Sequence, residues 1–212
     1  MFTDPGQTEI NHRTIKLLVG AIAITLASLT SFLSEGPLSS ISESYYQEPW
    51  PRNIFVGFLF AIAAFMFAYN GLARIEKIMS KVAAVAAMGV AMFPCACGAN
   101  DEIIPHVHYI STGIMFAILT GFCYVFYRRA DAKNHPEARR RARIYALCGF
   151  VIVVSMAAVA VENLADGIIS AHIPGVIFVA EASGLVAFGI SWLTASHFLP
   201  FITSAEERVS IW

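Results

Sequence analysis

Six apolar runs, near 15–33, 54–72, 80–98, 109–127, 144–161 and 176–199, constrain this chain more than any other feature. Each is long enough to cross about 30 Å of hydrocarbon at about 1.5 Å per residue. KLLVGAIAITLASLTSFL carries no charge after Lys16, and IFVGFLFAIAAFMFAYNGL carries none at all. In lipid every backbone amide must find its partner inside the protein, so runs of this length are read as helices. Composition agrees: 57% of the 212 residues are hydrophobic and 14% charged, against about 25% charged in a soluble domain. A water-soluble globule is excluded. The expected fold is all-α: one polytopic bundle of six transmembrane helices spanning residues 1–212, with no repeat, low-complexity tract or second domain.

The third run, KVAAVAAMGVAMFPCACG, is the least hydrophobic, and Ala83, Ala87 and Ala91 recur in it every four residues. Such a stripe lets neighbouring backbones approach closely, and the run is read as a central helix shielded from lipid. The first run is too long for a signal peptide's apolar core and lacks an A-x-A site, so it is read as a retained span.

Basic residues set the orientation, because cytoplasmic loops keep positive charge. Arg13, Lys16, Arg74, Lys77, Lys81, the seven of the 128–143 link and Arg208 place thirteen of the fourteen Lys and Arg on one side, leaving only Arg52 on the other. Both termini are therefore expected in the cytoplasm. The link RRADAKNHPEARRRAR is read as a positive-inside determinant that also touches anionic headgroups, not as a nucleic-acid site; the net charge of -1 offers nucleic acid no general attraction. A bacterial plasma membrane is the expected location.

On the far side the loops gather acids and histidines: Glu35, Glu43 and Glu48; Asp101, Glu102, His106 and His108; Glu162, Asp166 and His172. That field favours cationic groups. Glu181, about five residues inside the sixth span, is the most informative single residue. A carboxylate there costs roughly 2.5–3.5 kcal/mol on insertion scales, so it should face the bundle interior beside Ala180, Gly184, Leu185, Phe188 and Trp192. Its bland reading is a buried hydrogen bond to a serine, threonine or histidine that fixes helix packing. Glu162 and Asp166 form an i, i+4 pair if the fifth helix runs to a C-cap at Gly167, and need a cation, a proton or water to compensate them. His108, Ser111, Thr112 and Met115 make an inward polar face on helix four that could reach Glu181. Ser42, His108, Ser111, Glu162, Asp166 and Glu181 are thus the candidate ligand-binding residues.

CACGANDEIIPHVH brings two thiols and two imidazoles within fourteen residues, making Cys95, Cys97, His106 and His108 a candidate metal set with zinc as the ion. Both pairs are separated by one residue rather than the usual two to five, and Pro105 is placed to open helix four, turning the histidines apart. A disulfide is the competing use of Cys95 and Cys97. Cys123 and Cys148 lie within spans and read as small apolar packers. No G-x-S-x-G, H-E-x-x-H, Walker A or N-x-[ST] motif is present, and apart from Pro94 the chain lacks the helix breaks of secondary transporters.

SSISESYYQEPWPRNIFVGFLFAIAAFMFAYNG, HVHYISTGIMF and the basic link followed by RIYALCG resemble the Frag1/DRAM/Sfk1-like group of six-span membrane proteins and their prokaryotic relatives. Eukaryotic members of that group show I-S-D-x-G and then P-E in the first outer loop; here the stretch is Ile41, Ser42, Glu43 and then Glu48, Pro49. The resemblance implies six helices, cytoplasmic termini, and roles in lipid handling, membrane organisation or lipid-anchor remodelling, with Ser42 and His108 as the matching positions. A weaker resemblance is to the ceramidase and adiponectin-receptor type of intramembrane zinc hydrolase, which has seven spans and an H-x-x-x-H where this chain has only His197.

The leading functional reading is a non-enzymatic membrane protein whose non-cytoplasmic polar pocket takes a lipid headgroup, a cation or a partner protein. Membrane lipids, and another membrane protein, are its expected partners. The alternatives are a metal-dependent intramembrane hydrolase acting on a lipid ester or amide and a proton-coupled transporter using Glu181.

Overall fold

The computed structural model describes residues 11–97, 100–133, 135–165, 167–203 and 207. Among them the chain is all-helical: α1 His12–Leu33, α2 Trp50–Ala68, α3 Arg74–Met92, α4 Val107–Asp131, α5 Pro136–Leu164 and α6 Val176–Ala195. Between α1 and α2 lies a 3-10 turn, Ser42–Tyr46. Five of these helices, all but α3, are long and apolar enough to cross a membrane. Each helix packs on its neighbours in sequence, α6 returns against α1, and α4 touches α6 across the ring. Large apolar side chains, among them Phe60, Val85, Leu147, Phe150 and Val179, project from the outside of the bundle. An apolar surface spread over so many helix faces suits lipid and not water.

Local chemistry explains where the helices begin and end. Asn11 caps α1 by accepting from the Arg13 amide at 3.0 Å. The His135 ring caps α5, with Pro136 at the first helical position, where its missing N–H costs nothing. The third helix differs from the sequence expectation, starting at Arg74 and ending at Met92 instead of covering 80–98. Pro94 crowds the residue before it out of the helical region, and Phe93 is extended at φ -113°, ψ 102°. Nor is α3 a central helix. Ala83, Ala87 and Ala91 are buried as the stripe requires, yet Val82 and Val85 face outward: in a ring every member keeps a lipid-facing side.

The α1–α6 seam is a backbone contact. A Cβ on Gly20 would stand 2.8 Å from the Gly189 carbonyl oxygen, and one on Gly189 2.7 Å from that of Gly20, so only glycine permits this approach. Lower in the bundle Trp192, fully buried, stacks among Tyr69, Phe122 and Phe188 with ring centroids 5.2–5.4 Å apart. Beyond it lies the basic end. Glu76, fully buried, pairs with Arg129 and accepts from the Tyr69 hydroxyl at 3.2 Å. Glu207 pairs with Lys133 at 2.6 Å and Arg141 at 2.8 Å.

Candidate functional site

At the opposite end the first connection folds over the bundle mouth. It is held from three directions: the Ile41 amide donates to Glu181 Oε2 at 2.7 Å, the Tyr46 hydroxyl to the Cys95 carbonyl at 2.7 Å, and the Phe178 amide to the Ser39 carbonyl at 3.0 Å. The Ser42 amide faces the Glu181 carboxylate as well. Glu181 therefore has a partner, but backbone amides supply it where a side-chain hydroxyl or imidazole was expected. Its helical face is as anticipated, with Ala180, Gly184, Leu185, Phe188 and Trp192 all buried.

Two further expected residues meet beside it. His108 Nε2 lies 3.1 Å from Ser42 Oγ, and His108 Nδ1 lies 2.8 Å from the Phe93 carbonyl oxygen. A carbonyl only accepts, so Nδ1 carries the proton and Nε2 presents its lone pair to the Ser42 hydroxyl. Ser42 is 6% exposed and His108 3%. The neighbouring serines are committed to the turn itself: Ser40 Oγ accepts from the Glu43 amide at 3.1 Å, and Ser44 Oγ donates to the Ile41 carbonyl at 2.5 Å.

Ser42, His108 and Glu181 border a cavity of about 880 Å³ between α4, α5 and α6. Thr112 and Phe116 continue the α4 wall one and two turns below His108, while Met156 and Val159 form the α5 wall. A Cβ on Gly184 would come within 2.8 Å of the Phe116 ring, so that contact closes the space from below. The Thr112 hydroxyl is buried and has no hydrogen-bond partner among the described residues. The cavity is thus polar at the loop end and apolar deeper in, and its size is that of a site for a small molecule or a lipid segment.

The other sequence candidates are placed differently. Ser111 rests on Gly89 of α3, where a Cβ would meet its Oγ at 2.3 Å, so it turns away from the cavity. Glu162 lies on the cavity wall, but its carboxylate accepts from the amides of Ile169 at 2.8 Å and Ser170 at 3.0 Å. Helix α5 ends at Leu164, and Gly167, at φ +83°, donates its amide back to the Glu162 carbonyl at 3.0 Å. A local turn thus supplies the compensation the sequence called for. Asp166 lies outside the described residues. Cys95 and Cys97 are joined in a disulfide, which leaves neither as a thiolate ligand. His106, a cavity-lining residue in left-handed conformation, stands apart from the His108–Ser42 contact, and no three His, Cys, Asp or Glu side chains among the described residues come together as a metal-binding group. Arg52, the base at this end, pairs with Glu48.

Sequence reasoning missed the Phe93 carbonyl. It had a signal: the last carbonyls of a helix lack intrahelical donors and must be met from outside. No family model matches this chain, and no curated protein or solved structure does.

Proposed function

We propose that this protein crosses the membrane six times with both ends in the cytoplasm, and that its far-side cavity receives one lipid molecule, polar group at Ser42, His108 and Glu181 and chain along Phe116 and Met156. The observation that supports this reading most is the polarity gradient of the cavity itself, from carboxylate, imidazole and hydroxyl groups at the mouth to aromatic and aliphatic walls below. Counting α3 as a crossing is supported by its place in the ring, where it packs against both α2 and α4. Its charges all lie in the first turns: Arg74 and Lys77 are exposed at the basic end, Lys81 reaches the carbonyls that end α2, and Glu76 is buried against Arg129. Kinship with the Frag1/DRAM/Sfk1-like proteins would give the same topology and a lipid-related role. The acidic loops favour a headgroup with a cationic moiety, since Arg52 is already paired with Glu48.

Gly113 provides the test. It lines the cavity, and a Cβ there meets nothing within 4 Å, so Gly113→Phe fills the space without a clash at the backbone. Native mass spectrometry of the protein released from mild detergent should show one retained lipid, lost or much reduced in Gly113→Phe at unchanged thermal stability. Equal lipid retention by both proteins would remove the cavity as the site.

A further inference from the structure

We propose that Ser42 and His108 form a nucleophile and general base that cleave an ester bond of a long-chain acyl lipid held in the cavity; this rests on the lipid reading above. Four observations carry it. The Ser42 hydroxyl has His108 Nε2 as its one hydrogen-bond partner among the described residues, at 3.1 Å. The Phe93 carbonyl, at 2.8 Å from Nδ1, fixes the tautomer in which Nε2 is the acceptor. That is the arrangement an activated serine needs: nucleophile on base, and base oriented by a third group. Both side chains border the cavity, so a carbonyl carbon can reach Oγ. Thr112 lines the same cavity one turn below His108, and its buried hydroxyl has no hydrogen-bond partner among the described residues.

A purely structural serine–histidine bond explains less. The first connection is already tied down by Glu181, Tyr46 and Ser39, and an apolar pair would close the α4 contact without placing two polar groups at an 880 Å³ space.

The chemistry balances with water as the only co-reactant. Ser42 Oγ attacks the ester carbonyl carbon while His108 Nε2 takes its proton. The bond from that carbon to the alcohol oxygen breaks, the alcohol leaves with the proton from His108, and the acyl group remains on Ser42. Water then attacks the acyl carbon, gives its proton to His108, and the fatty acid departs as Ser42 recovers its hydrogen. Glu181 is a positioning residue in this scheme, because it holds the Ile41 amide next to the serine.

The full chain in lipid nanodiscs should be treated with a long-chain alkyl fluorophosphonate and its labelled peptide identified, with p-nitrophenyl palmitate hydrolysis followed in parallel. The expected result is phosphonylation at Ser42, abolished in Ser42→Ala and slowed on the order of 10²–10⁴-fold in His108→Gln, with a pH profile that shows one ionisation in the wild type and none in His108→Gln. Thermal melting of each variant separates lost reactivity from lost fold, and Thr112→Val, which leaves the Ser42–His108 bond in place, should slow hydrolysis without moving that ionisation. A protein that retains its lipid yet is neither phosphonylated at Ser42 nor hydrolytic would overturn the dyad and leave the pocket standing. A protein that retains no lipid and takes no label would overturn both.

Discussion

The carboxylate of Glu181 reaches the backbone nitrogen of Ile41 at 2.7 Å across 140 residues of sequence. An intramembrane acid commonly signals ion or proton movement; here it serves as an anchor for the loop that carries Ser42. Replacing it with alanine strands the Ile41 amide in a buried site, at a cost of about 1–3 kcal/mol. Glu181→Ala should lower the melting temperature in detergent and raise amide exchange across residues 39–46. Glu181→Gln, which keeps a carbonyl acceptor, should lose less. Equal melting of all three proteins would show that the bond holds nothing.

How much of this was legible in the sequence follows from what each feature depends on. The helices were legible because apolar length is a local property, and α6's inward face followed from the spacing of Glu181, Gly184, Phe188 and Trp192. The register of α3 was missed because hydropathy averages over Pro94, whereas the backbone does not. Ser42, His108 and Glu181 could each be singled out from residue type and depth. That His108 could reach Glu181 followed from the inward face of α4, but its contact with Ser42 did not, since it depends on a 3-10 turn, a disulfide-closed loop and a carbonyl at the end of α3. Ser111 shows the converse: it shares His108's end of α4 but lies on the flank that meets Gly89.

Gly189 is the tightest point of the ring. A side chain there must displace both the Gly20 carbonyl oxygen, 2.7 Å from its Cβ, and Ile24 Cγ1 at 2.5 Å. Overpacking of this kind costs about 1–3 kcal/mol or more. Gly189→Val should therefore melt well below the wild type, whereas Gly57→Ala, where a Cβ meets nothing within 4 Å, should melt at or above it. Similar melting of the two would place the seam elsewhere.

Thiol accessibility tests the disulfide and the orientation together. Cys123 and Cys148 are buried, and Cys95 and Cys97 are bonded to each other. Intact cells treated with an impermeant maleimide should show no labelling before reduction and labelling at the partly exposed Cys97 after it, with the buried Cys95, Cys123 and Cys148 reacting only on denaturation. Labelling that requires permeabilised cells would turn the proposed topology over.

The basic end should be the acid-sensitive part of the fold. Burial disfavours the charged form of His197, the Arg141 guanidinium adds to this, Arg13 and Lys133 act in the same sense, and Glu207 opposes them; the ring is held down at about 4. Burial pushes the Glu207 carboxyl up, but hydrogen bonds and charge from Lys133 and Arg141 outweigh it and hold it at about 2. Both groups thus bind protons less readily folded than unfolded, where their values are about 6.5 and 4.3. Stability from His197 is complete above about pH 6.5 and is lost as the pH falls towards 4; that from Glu207 is lost between about 4.3 and 2. Melting temperature should fall first through the histidine window. His197→Asn removes the titrating ring and suits the left-handed backbone, at φ 59°, that this position adopts. It should flatten the pH 6.5–4 slope while leaving the lower one in place, and an unchanged slope in the variant would assign the acid response to another group.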